Sequence, residues 1–109
     1  MEKTIEIYQL KEEFFRDYIS RPYSEKLNIS FDRYEKTYTC KRPYDYSLED
    51  VFGEFNCNHP KDFTGYSLSV GDIVVVTEEI PVLNKQRTGI YYTDIVGFED
   101  ITDQFVKGV

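Results

Sequence analysis

Tryptophan is absent from this chain of 109 residues, and histidine occurs once. A lone His59 rules out the His-x-x-x-His spacing of a zinc motif, and Cys40 and Cys57 do not form a Cys-x-x-Cys pair, so neither metal nor cofactor is expected. The same two thiols, lying far apart with no secretory leader, suit a reducing compartment as free cysteines rather than a disulfide framework. Bases are also scarce: 13 Lys and Arg stand against 20 Asp and Glu, a net charge of −7. Neutralising a phosphate backbone takes clustered bases, which argues against direct binding of nucleic acid. No run approaches the roughly 20 apolar residues of a membrane span. The acidic, alternating start "MEKTIEIYQL" lacks the basic and apolar stretches of a signal peptide. The expectation is a cytoplasmic protein with no membrane partner.

What is present is aromatic and β-branched. Ten Tyr and eight Phe within 40% hydrophobic residues supply material for one compact core, and residues 1–109 are read as one domain. "TIEIYQL" puts Ile5 and Ile7 on one side and Glu6 and Tyr8 on the other, the pattern of a half-buried first strand. "EEFFRDYI" fits a helix or a loop, and "RPYSEKL" at most a short helix. "RYEKTYTCK" alternates Tyr34, Lys36, Tyr38 and Cys40 against Glu35, Thr37 and Thr39, a second strand. "SLEDVFGEFN" is an amphipathic helix: Ser47 caps it, Glu49 and Asp50 suit its positive end, and Leu48, Val51, Phe52 and Phe55 form its apolar stripe. Gly53 falls off that stripe.

"DIVVV" is a continuous apolar run, as in a central strand covered on both faces. "TEEIPVLNKQR" then reads as a hairpin connection, and "TGIYYTDIVGF" as a final strand pair with a bulge or turn at Gly97. The fold class is α+β: a small, mainly antiparallel sheet of four to five strands with one or two helices packed on a face.

In order along the chain, "IYQL", "YEKTY", "LEDVFGEFNCNHPKDFTGYSLSVGDIVVV" and "YYTDIVGF" resemble the YodL-like domain of Firmicutes and their mobile genetic elements. The most specific stretch runs from Phe55-Asn56 through His59-Pro60, Asp62-Phe63 and Gly65 to Ser67-Leu68-Ser69-Val70. The chain departs from the family pattern at Tyr66, Gly71, Ile95 and Val96. The resemblance implies a small stand-alone domain, or a piece of a larger mobile-element protein, found beside antirestriction and DNA-modification functions and without an established enzymatic activity.

The residues offer little catalytic chemistry. Cys57 near His59 is a nucleophile–base pair in outline, but no third residue stands out to orient it, and packing or capping is the stronger reading. Asp62 and Asp72 read as a turn former and a ligand of nearby backbone N–H groups, not as an acid–base pair. "GYSLSVG" is not a phosphate loop, since a strand and not a helix follows it. The stretch from His59 to Asp72 is thus expected to be a structural crossover from helix to central strand.

The resemblance, joined to the negative charge and the lack of a catalytic set, implies a non-enzymatic interaction module that binds and modulates a host or defence protein, in one version an anti-defence inhibitor with an acidic, nucleic-acid-like surface. The candidate partner-binding residues are Tyr91, Tyr92, Asp94, Glu99, Asp100 and Asp103, because tyrosines favour interfaces and this stretch carries acids and no base. The alternative is a small enzyme or ligand-binding domain using the Cys57 to Asp72 loop. A monomer or small homo-oligomer is expected.

Overall fold

The computed structural model describes residues 2–11, 33–57, 60–63, 65, 67–94 and 97–102. Among these, five strands form one antiparallel sheet: β1 (Glu2–Leu10), β2 (Tyr34–Pro43), β3 (Ile73–Ile80), β4 (Lys85–Thr93) and β5 (Phe98–Asp100), in the order β2-β1-β3-β4-β5. One helix, α1 (Leu48–Cys57), lies between β2 and β3 in the chain. The protein is therefore an α+β fold. The two helix-or-loop segments expected between Glu12 and Asn28 lie outside the described residues.

The β-branched run of β3 sits at the centre of the sheet, and Ile73, Val74 and Val75 are all fully buried, as a strand covered on both faces requires. β1 differs from expectation. It lies between β2 and β3, so its second face is buried as well: Tyr8 and Leu10 are as enclosed as Ile5 and Ile7. Two apolar clusters follow, one on each side of the sheet. Ile5, Ile7 and Val74 meet Val51 and Phe55 of α1 and Phe63 and Leu68 of the crossover; Tyr8, Leu10, Tyr34, Ile73, Val75, Ile90, Tyr92 and Ile101 form the other.

A bulge in β2 sorts its side chains between these clusters. Ile7 pairs with Tyr38 but Tyr8 pairs with Lys36, which leaves Thr37 as the extra residue. The Thr37 hydroxyl donates to the Ile7 carbonyl at 3.4 Å. Tyr38 and Cys40 therefore join the α1 side while Tyr34 joins the opposite cluster, whereas simple alternation places all three together. On the α1 side Tyr38, Phe55 and Phe63 meet edge to face, with centroids 5.1 to 5.6 Å apart.

Ser47 caps α1 as its sequence predicts: the Asp50 N–H donates to the Ser47 hydroxyl at 3.1 Å, and the Ser47 N–H donates to the Asp50 carboxylate at 2.9 Å. The expected apolar stripe is narrower than its spacing suggests. Val51 and Phe55 are fully buried and Leu48 half-buried, but Phe52 is 48% exposed. The helix is turned towards β2, where Arg42 clasps Glu54 with two N–H groups at 3.1 and 2.5 Å and the Tyr46 hydroxyl donates to the same carboxylate. This brings Glu54 to the sheet and leaves Phe52 on the flank.

Candidate functional site

The crossover from α1 to β3 is held by backbone bonds. The Leu68 N–H donates to the Phe55 carbonyl at 3.2 Å, Gly71 N–H to Thr93 at 2.9 Å and Thr93 N–H to Asp72 at 2.8 Å. Gly71, with φ of 103°, takes the left-handed conformation that starts the strand. Asp72 is buried, and its carboxylate accepts from the Ser69 N–H at 2.8 Å and from Gln9 Nε2 at 3.1 Å. That is the backbone-ligating role read from its position after a glycine. Asp62 lies in the exposed Pro60–Phe63 turn and accepts from the Tyr38 hydroxyl at 2.8 Å. Gly65 is crowded: a Cβ there would stand 2.2 Å from Gln9 Oε1 and 2.9 Å from the Phe63 ring. Cys57 is the last residue of α1, and His59 lies outside the described residues. Cys40 is half-buried beside α1, and burial raises its thiol pKa, so it is a neutral thiol at neutral pH rather than an activated nucleophile. Among the described residues no three His, Cys, Asp or Glu side chains gather to hold a metal.

A wide concavity lies elsewhere. α1 and the crossover cover part of one sheet face, and beyond them the β3–β4–β5 end of that face is an open groove of about 730 Å³. Its floor is Val76, Gly89 and Tyr91, and its far wall is Asp100 and Thr102. A smaller recess of about 90 Å³ continues under the start of α1, sharing Val76, Glu78 and Tyr91. Gly89 is what seats Tyr91: a Cβ there would lie 2.6 Å from the tyrosine hydroxyl and 2.7 Å from its ring. The ring thus leans back across the glycine two residues earlier on the same strand face. Burial, reinforced by Asp100, pushes the Tyr91 phenol up, so it is neutral and able to donate a hydrogen bond at neutral pH.

A row of charges runs from the recess into the groove. Sheet register sets Lys3, Glu78 and Arg87 side by side on β1, β3 and β4, and Glu78 pairs with Arg87 at 2.8 Å and with Lys3 at 3.6 Å. The Lys3 ammonium also donates to the Tyr46 carbonyl at 2.6 Å, which ties β1 to the loop before α1. Asp100 accepts from the Thr102 N–H at 2.9 Å and its hydroxyl at 2.5 Å, and these bonds hold its carboxyl below the usual range. The groove and the recess beside it therefore combine acids with two cations, Arg87 in the groove and Lys3 in the recess.

The six candidate partner-binding residues do not share one surface. Tyr91 and Asp100 line the groove, and Glu99 is exposed but registers with Tyr92, which places it on the other side of β5. Tyr92 is fully buried in the core opposite α1 and offers no side chain to a partner in this structure. Asp94 is half-buried at the turn into β5, where its N–H donates to the Gly97 carbonyl at 3.0 Å, and Asp103 lies outside the described residues. Sequence reasoning missed Lys3, Glu78, Arg87 and Gly89. A signal existed for two of them: a turn centred on Val82 and Leu83 pairs Glu78 with Arg87 by simple counting outward.

Among the described residues no helix is long and apolar enough to cross a membrane. No curated protein and no solved structure matches the chain. The family model of the YodL-like domain matches residues 4–105, a span that includes all five strands from Thr4 onward, α1 and the crossover. By that match the chain belongs to the YodL-like domain family.

Proposed function

We propose that this domain is a non-enzymatic cytoplasmic interaction module, of mobile-element origin, that binds and modulates a host or defence protein. The observation that supports this reading is the open strip of sheet between α1 and β5, where a neutral tyrosine lies flat on Gly89 between the Arg87–Glu78 pair and Asp100. A tyrosine held in place loses little entropy on burial, and flanking charges of both signs give a partner register as well as contact. The mixture of Lys3 and Arg87 with Glu78 and Asp100 favours ordinary protein pairing over an acidic imitation of nucleic acid.

The two versions differ in salt dependence. Affinity capture of the tagged domain from host cells, followed by binding measurements with the purified partner at increasing ionic strength, separates them. Protein pairing through Tyr91 predicts shallow salt dependence and a modest change for Asp100→Asn. A steep fall with salt, abolished in that variant, favours imitation of nucleic acid. Failure of the domain to retain any protein reproducibly removes the interaction reading altogether.

A further inference from the structure

We propose that the tip of the β3–β4 hairpin is an anchor that inserts into an apolar pocket of a protein partner. This rests on the interaction-module reading and extends it to a second, chemically different surface. β1 accompanies β3 only as far as the Lys3–Glu78 pair, so Glu79, Ile80, Lys85 and Gln86 continue as a two-stranded ribbon past the end of that pairing. At its end Pro81–Leu83 form one turn of 3₁₀ helix, closed by Asn84 in the left-handed conformation (φ 50°), whose N–H donates to the Pro81 carbonyl at 3.1 Å.

Val82 is 93% exposed and Leu83 59% exposed at this tip. Turn tips favour Gly, Asn, Asp, Ser and Pro, and of the two adjacent aliphatic side chains there Val82 contributes almost no burial to the fold and Leu83 only part of its surface. They gain on transfer into an apolar pocket, and the proline and the closed turn have already removed much of the freedom that binding costs.

The charges on the ribbon select the kind of partner. Glu78 and Glu79 on one strand balance Lys85 and Arg87 on the other, within a chain of net charge −7, so the basic cluster that an anionic lipid surface attracts is missing from this arm. By register Glu79 and Lys85 lie on opposite faces of the ribbon, which calls for a pocket rim with a base on one side and an acid on the other. Two side chains are too little area for a stable complex. The anchor therefore acts with the groove, to which Glu78 and Arg87 also belong.

The test begins with a benzophenone-bearing phenylalanine in place of Val82 in host cells, and in place of exposed Thr39 on β2 as a control. The protein cross-linked only from position 82 is then purified and titrated with the wild type and the Val82→Ser, Leu83→Ser variant. The expected results are an unchanged melting temperature, binding weakened about tenfold or more, and recovery in Val82→Ile, Leu83→Met. Equal binding by the serine variant overturns the anchor while leaving the module reading intact. Absence of any position-specific adduct overturns the anchor too, and absence of any captured partner overturns both. Phosphatidylglycerol vesicles that bind the wild type but not the serine variant overturn it in favour of a lipid surface.

Discussion

The rotation of α1 towards β2 makes Phe55 and Phe52 unequal, although both fall on the apolar stripe of the sequence. Phe55 is fully buried and meets the rings of Tyr38 and Phe63 edge to face, so Phe55→Ala leaves a cavity that neighbouring strands cannot fill. Its cost should be about 3–5 kcal/mol. Phe52 keeps about half its surface in water, and fully burying such a side chain stabilises by about 1.5–3 kcal/mol, so Phe52→Ala should cost roughly 1 kcal/mol. Urea unfolding of the two variants, followed by circular dichroism and fitted with a common m-value, measures the difference directly. A gap of about 2 kcal/mol or more is expected. Equal losses would refute the rotated helix and restore the wide stripe.

Three further outcomes follow from the same geometry. A Cβ added at Gly53 would meet no atom within 4 Å, so Gly53→Ala should raise stability by up to about 1 kcal/mol, read as a higher urea midpoint. Gly89→Ala should lower stability by about 1–3 kcal/mol and shift Tyr91, visible in the near-ultraviolet spectrum, because the added methyl meets the tyrosine ring. Arg42 holds the Glu54 carboxyl below its unfolded value, so the pair contributes stability above the ordinary carboxylate range, and that contribution is lost as pH falls through the folded value. Unfolding midpoints between neutral and acidic pH should therefore decline less steeply in Glu54→Gln than in the wild type.

Much of the frame was legible because it rests on local patterns. The Ser47 cap, the Val51–Phe55 spacing and the unbroken apolar run of β3 each follow from one short window of chain, and Asp72 could be assigned from the glycine before it. What escaped depends on residues far apart in the chain. The bulge at Thr37 sends Tyr34 and Tyr38 to opposite faces, which only the register against β1 reveals. Period-two alternation already forbade Tyr91 and Tyr92 from sharing a face, but which of them meets the deeper core depends on what each side of the sheet carries. The Lys3–Glu78–Arg87 row joins three strands and has no local signature at all. Phe52 was misplaced because spacing defines a stripe, whereas the Arg42–Glu54 clasp decides how that stripe is turned.

If partner binding resides in the groove around Tyr91, the affinity of a captured, purified partner should separate the wild type from Tyr91→Ala. Truncating a seated tyrosine at the centre of an interface should weaken binding by about tenfold or more, mainly through faster dissociation, with the fold preserved. An affinity within about twofold of the wild type, which is less than about 0.5 kcal/mol, would move the binding site off this face of the sheet.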